Sequence, residues 1–194
     1  VITGDLIDKL AWLPQVCERL TTFAKQIPDG VDFILGNHEY HHDVNKVLDA
    51  LKRNTPMNIL VNSNIQIMGG KQPVYIAGVA YDNDRKKDNR EAMINKALSG
   101  IPDYAFVILL AHHPEFFEES IERKIPLTLS GHTHGGQIVF MGMPLVPTGT
   151  PYTKGRYVQE QSVCYVNNGT GHWFPIRINC PREITVITFF DGVA

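Results

Sequence analysis

The chain has 194 residues, 43% hydrophobic and 20% charged, a balance that excludes intrinsic disorder and suits one domain with its own core. A formal net charge of −2 at pH 7 excludes the overall basic footprint of a nucleic-acid binder, and no apolar run is long enough for a membrane helix. Cys17, Cys164 and Cys180 are odd in number and lack metal-type spacing, so they read as free thiols rather than a disulfide framework.

Val1-Ile2-Thr3 reads as the end of a strand running into the loop Gly4-Asp5-Leu6-Ile7-Asp8. A domain rarely starts inside an element that pairs on both sides. The expectation is therefore one N-terminally truncated domain, residues 1–194, lacking its first strand, with any targeting signal upstream. Residues 10–27 have helical periodicity, with Leu13, Val16, Cys17, Leu20, Phe23 and Ala24 on one stripe. Pro28-Asp29-Gly30 marks a turn. Residues 31–35 form a buried strand ending at Gly36-Asn37-His38-Glu39, and Asp43 can cap a helix that runs to about Arg53. Residues 58–68 hold one or two strands, Gly69-Gly70 a hairpin turn, and residues 74–79 a further strand. Then come a helix over 88–98, a strand over 106–110 ending at Ala111-His112-His113-Pro114, a short helix over 115–122 and a strand over 125–129. This alternation predicts α/β architecture with parallel pairing. After Gly136, strands at 138–141, 163–167 and 184–190 follow one another without helices and predict an antiparallel second sheet packed on the first.

The last strand of the alternating part feeds Ser130-Gly131-His132-Thr133-His134-Gly135-Gly136-Gln137. In an extended segment the His-x-His spacing puts both rings on one face, and the glycines leave room for a ligand. Asp5, Asn37, His112 and His132/His134 all follow the carboxyl ends of strands, where open α/β sheets bind ligands. Alone, each has a bland explanation: a helix cap, a turn residue, a core histidine. Together they offer a carboxylate, an amide oxygen and imidazoles with no thiolate. That set suits Mn, Fe, Co or Zn, one ion or two, rather than a structural zinc. One carboxylate can bridge two cations, and two-metal sites hydrolyse phosphoesters by clamping both oxygens and activating a hydroxide.

These residues resemble the calcineurin-like metallophosphoesterases, whose ordered motifs are Asp-x-His, Gly-Asp-x-x-Asp, Gly-Asn-His-Glu/Asp, His and Gly-His-x-His. Gly4-Asp5-Leu6-Ile7-Asp8, Gly36-Asn37-His38-Glu39, His112 and Gly131-His132-Thr133-His134 match the last four, in order. The resemblance implies two packed mixed β-sheets flanked by helices, an αββα sandwich, around a dinuclear site. By analogy Asp5 bridges the metals, Asn37, His112 and His132 complete one of them, and His134 belongs to the other. His38 faces the phosphate or leaving group, steered by Asp8. His112, two residues before Pro114, is chosen over His113, which points the other way if the segment is extended. The Asp-x-His motif is absent: none of the eight histidines has Asp two residues before it. Its place in the family precedes the first motif seen here, so truncation accounts for the loss and leaves the second ion with Asp5 and His134.

The strings Gly-His-Thr-His-Gly-Gly-Gln, Gly149-Thr150-Pro151-Tyr152 and Asn167-Asn168-Gly169-Thr170-Gly171 resemble a bacterial, phosphodiesterase-like branch with membrane-associated members, some acting on lipid-linked phosphoesters. A basic residue often stands there in place of Asn168. The expected partners are thus a phosphoester, lipid-linked compounds included, with peripheral membrane contact and self-association open and no nucleic acid. Lys9-Leu10 replaces the Arg-Gly of Ser/Thr protein phosphatases, which disfavours that activity. His41 and His42 read as solvent-facing, Arg85-Lys86-Lys87 with Arg90 as a solvated basic face, and Arg177 as a brace for the loop carrying His172 and Trp173. The rival from another class is a non-catalytic metal-binding or scaffold protein that has lost its second metal.

Overall fold

The computed structural model describes residues 1–67, 72–81 and 86–190; the expected Gly69-Gly70 turn and Arg85 lie outside them. Ile2 donates its N–H to Asp32 O and accepts from Ile34 N–H, so the first residues lie parallel to the next strand. After a 3-10 turn at Leu10–Trp12, helix α1 spans Leu13–Ala24. Pro14 falls in its first turn, where no N–H partner is needed. Leu13, Cys17, Leu20 and Ala24 bury one stripe. Strand β1 (Asp32–Ile34) is buried throughout. The single-turn helix α2 (Asn37–Tyr40) follows, then α3 (Val44–Asn54), whose Lys46 N–H is accepted by the side chain of Asp43. Next come β2 (Asn58–Leu60), β3 (Ser63–Ile67), β4 (Val74–Gly78), α4 (Lys87–Ala97), β5 (Phe106–Leu110), α5 (Phe116–Glu122) and β6 (Leu127–Ser130). The C-terminal part adds the hairpin β7 (Val139–Phe140) and β8 (Met143–Pro144), then β9 (Gly155–Gln159) and β10 (Ser162–Val166).

Four layers result. β1 and β2 pair in parallel, and α1 and α3 cover their outer face through Leu13, Cys17, Phe33, Leu35, Val47 and Leu51. The second sheet has the order β3-β4-β5-β6-β10-β9. Its four inner strands are parallel and its two edges antiparallel. Ile34 and Leu60 of the small sheet pack on Ile76, Ile108, Leu110 and Leu127 of the large one. Gly78 sets that approach: a Cβ there would stand 2.5 Å from Leu60 Cβ and 2.6 Å from Ile34 Cγ2. On the other face α4 and α5 bury Ile94, Ala97 and Phe116 against Ala77, Val79 and Leu109. β1, β5 and β6 all point their carboxyl ends toward one end of the sandwich, so the loops that follow them converge there.

Some expectations need correction. The strand near 163–167 does not belong to a separate antiparallel sheet. As β10 it joins the main sheet, parallel to β6, and its antiparallel neighbour is β9, which the sequence reading did not include. Residues 184–190 form no strand; nothing in the described chain offers them a backbone partner. The basic run is solvated at Lys86 and Lys87, both exposed, but not at Arg90. Lys87 Nζ lies 2.6 Å from Glu122, and Arg90 is buried with its Nε on both carboxylate oxygens of Glu119.

Candidate metal centre

His112 follows the end of β5 and is buried. Its Nδ1 lies 2.7 Å from Thr3 O. A carbonyl only accepts, so Nδ1 carries the proton and Nε2 presents a lone pair. That lone pair faces Asn37 Oδ1 at 2.9 Å, His132 Nδ1 at 3.1 Å and Asp5 Oδ2 at 3.2 Å. Asn37 Oδ1 and His132 Nδ1 are themselves 2.9 Å apart. Lone-pair donors from four loops thus crowd one point. Neighbouring ligands of an octahedral ion with bonds of about 2.1 Å stand about 3 Å apart, so this donor set fits a divalent cation. Without one, a proton takes its place. Burial works against charge on His112, but the hydrogen bond and charge of Asp5 outweigh it and raise the ring's pKa. Burial likewise pushes the Asp5 carboxyl up, but His112 and the N–H and ring of His38 hold it well below the ordinary carboxylate range.

The backbone is bent to make this possible. Asp5, His132, His134 and Gln137 have φ of 58, 68, 50 and 50°, a left-handed region that residues with a Cβ seldom occupy. The expectation of His132 and His134 on one face of an extended segment is therefore wrong. The chain turns at His132 and enters a 3-10 turn, His134–Gly136. Gly36 has no room for a side chain: a Cβ would lie 2.3 Å from Asp5 Oδ1 and 2.7 Å from His112 Cε1.

Glu39 is the site residue to which sequence reasoning gave no role. It is fully buried. Its Oε1 accepts the N–H groups of Leu6 at 2.6 Å and Ile7 at 2.8 Å, and its Oε2 those of Asp5 at 3.0 Å and Gly36 at 2.7 Å. One carboxylate thus ties the loop bearing Asp5 to the loop bearing Asn37. The hints in the sequence are its place in Gly36-Asn37-His38-Glu39 and its position three residues after Gly36, the spacing of a capping box. Burial raises its pKa in spite of those donors.

His38 stands beside this cluster. Its backbone N–H donates to Asp5 Oδ1 at 2.9 Å, and its ring Nδ1 lies 3.0 Å from Asp8 Oδ1. His42 Nε2 bonds Asp8 O at 2.9 Å, and the His41 ring lies 5.4 Å from that of His38. His113 does not turn away as expected; its ring centroid is 4.1 Å from that of His132, and its ligating atom lies within 4.8 Å of those of His112 and His132. His112 is the one that bonds Thr3 O and lies 2.9 Å from Asn37 Oδ1.

Among the described residues no hydrogen bond joins His134 to the four converging side chains. Its ring meets Trp173 edge to face at 5.4 Å. Burial and the charge of Arg177 bring its pKa down to about 4, so it is neutral at pH 7 and able to ligate. Arg177 donates to the carbonyls of His134, Asn168, Gly171 and Cys180, the contacts of a brace. His172 is exposed nearby.

The sequence model of a family described as calcineurin-like phosphoesterase matches residues 1–136. The chain belongs to the calcineurin-like phosphoesterase family. An uncharacterized metallophosphoesterase of Campylobacter jejuni is 36% identical over 195 residues, covering 96% of this chain and 49% of that protein. A transmembrane protein with metallophosphoesterase domain from Danio rerio is 31% identical over 198 residues, covering 96% and 44%. The chain therefore spans about half the length of these relatives, and the likeness is not confined to bacteria. A putative 5'-nucleotidase from Staphylococcus aureus shares the fold with a TM-score of 0.53 at 13% identity, over 81% of this chain and 35% of that one. Family membership implies a divalent metal cofactor, which the four donors described above fit.

Proposed function

We propose that this phosphoesterase-family chain carries a metal-dependent phosphodiesterase centre with two ions. The observation that supports it best is the approach of Asn37 Oδ1, His132 Nδ1 and Asp5 Oδ2 to within 2.9–3.2 Å of His112 Nε2, with His38 held beside them. These four would hold one ion. Asp5 and His134, whose ring feels the Asp5 charge, would contribute to a second. Divalent ions at such a site polarise a phosphoryl oxygen and supply a water-derived nucleophile at neutral pH.

The chain's own residues do the rest. Asp8 fixes the His38 ring through Nδ1, leaving Nε2 to give a proton to the departing alkoxide oxygen. A proton donor of this kind serves an ester whose leaving group is a poor one. Glu39 holds the two loops in register, so the donors stay converged whether or not substrate is present. Hydrolysis of bis(p-nitrophenyl) phosphate and of the monoester, with Mn added, tests the proposal. His38→Ala should cut turnover by about 10²–10⁴-fold with metal content unchanged. Loss of metal would make His38 a ligand, and unchanged turnover would remove it from the chemistry.

One observation favours a second function, a metal-binding scaffold without activity: among the described residues no hydrogen bond joins His134 to the four converging side chains. Protein that binds one metal per chain and hydrolyses neither ester would establish it.

A further inference from the structure

His42 is not the solvent-facing residue expected from the sequence. It is half-buried and reaches back across the chain, with Nε2 2.9 Å from Asp8 O. A carbonyl only accepts, so Nε2 carries the proton and donates it. The joint that holds His42 is fixed on both sides. His41 N–H closes the turn of α2 on Asn37 O at 2.9 Å, and the Asp43 side chain caps α3.

What His42 grips is the far end of the loop that carries Asp5. Glu39 accepts the N–H groups of Asp5, Leu6 and Ile7. His42, three residues further on, takes the carbonyl of Asp8. Among the described residues Asp8 makes two hydrogen bonds: this one through its carbonyl, and one through Oδ1 to His38 Nδ1 at 3.0 Å. The second would not keep its shape unaided. The His38 and Asp8 side chains are 33% and 60% exposed, and a pair so open to water gains little against the freedom its side chains give up. Fixing the Asp8 backbone removes part of that freedom in advance. His41 offers no such hold: it is exposed and meets His38 ring to ring at 5.4 Å.

We infer that His42 is a positioning residue for this site. Its Nε2–H holds the Asp8 carbonyl, which keeps the Asp8 carboxylate aimed at His38 Nδ1 and leaves His38 Nε2 to face the departing oxygen. The inference rests on the reading of His38 as proton donor and deepens it, while the hold itself can be measured without hydrolysis.

The test begins with the ring N–H signals of isotope-labelled protein, the His38 signal being the one missing from His38→Ala. A proton on Nδ1 held by a carboxylate exchanges slowly with water, so wild type should show it. His42→Leu, similar in bulk but without the donor, should lose it while the amide signals of both sheets stay in place. His42→Gln puts an N–H near the position of Nε2 and should bring the signal back. Turnover is then read, with Mn added, on methyl phenyl phosphate and methyl p-nitrophenyl phosphate, which differ only in the leaving group. His42→Leu should lower kcat for the phenyl ester by about tenfold to a hundredfold. The p-nitrophenyl ester should lose less, because phenoxide is the poorer leaving group and needs the proton more. KM and metal content should hold, and His42→Gln should recover most of the rate. A His38 signal that is absent from wild type, that persists in His42→Leu or that His42→Gln fails to restore would overturn the inference. Equal losses on the two esters, or a loss of metal, would do the same, since a loosened site slows both reactions alike. Were wild type to hydrolyse neither ester, the proton-donor reading of His38 would fall, and the ring signal would still decide whether His42 holds the pair.

Discussion

At the scale of single residues, the centre is a competition between a proton and a cation for the same lone pairs. In the metal-free chain His112 shares its charge with Asp5, and its pKa lies above 6.5. A histidine whose folded pKa is raised contributes stability that is full below its unfolded value and is lost as pH rises through the folded one. The thermal midpoint of chelator-treated protein should therefore fall as pH is raised upward from about 6.5, while Mn-loaded protein should not show that loss. A metal-free midpoint flat across this range would mean that His112 holds no proton there. Ligand choice is testable one ring at a time. His132→Ala should lower metal content well below one per chain, and His113→Ala much less, because His113 makes neither the Asn37 nor the Thr3 contact. Equal losses would put His113 in the ligand set.

At the scale of elements, the helical layer over the large sheet is pinned by a buried ion pair. Arg90 of α4 and Glu119 of α5 are 8% and 0% exposed and meet at 2.8 Å. Glu119→Ala takes the shortest contacts from a buried guanidinium that keeps Glu118 at 3.1 Å, so it should destabilise the fold by about 3 kcal/mol, the low end for a broken buried pair. Replacing both by leucine should cost less than the single change, as urea midpoints would show. A double variant less stable than Glu119→Ala would mean that the pair is worth more than apolar packing here. Helices and inner strands were legible from period and apolar runs, because burial dictates those residues. β9 was not: Gly-Arg-Tyr-Val-Gln lies on an edge and carries no buried run. Residues 184–190 alternate like a strand, but strand preference has force only beside a neighbour. At the site the residue types that converge, and their order along the chain, were legible. Their geometry was not, because left-handed φ at Asp5, His132 and His134 leaves no mark in residues that carry a Cβ. The role of Glu39 was not legible because its partners are backbone N–H groups, which every sequence has.

At the scale of the molecule, one ion would join segments that fold as parts of different layers. Asp5 and Asn37 belong to the small sheet's loops, His112 and His132 to the large sheet's. Binding to the folded state alone stabilises it by about 2.7 kcal/mol at a hundredfold excess over Kd. For a chain of this size that corresponds to a rise in thermal midpoint of roughly 5–10 °C, reversed by chelator. A midpoint insensitive to Mn, Fe, Co and Zn alike would remove the metal site. The scattered ligands also set an order of events in the cell. The ribosome delivers Asp5 and Asn37 before His112 and His132, and the donors meet only once β5 and β6 lie side by side. An ion arriving sooner finds isolated side chains that grip it weakly. Its uptake marks the moment when both sheets have closed on each other, so during biosynthesis the metal acts as a seal on a finished sandwich and has no part in starting one.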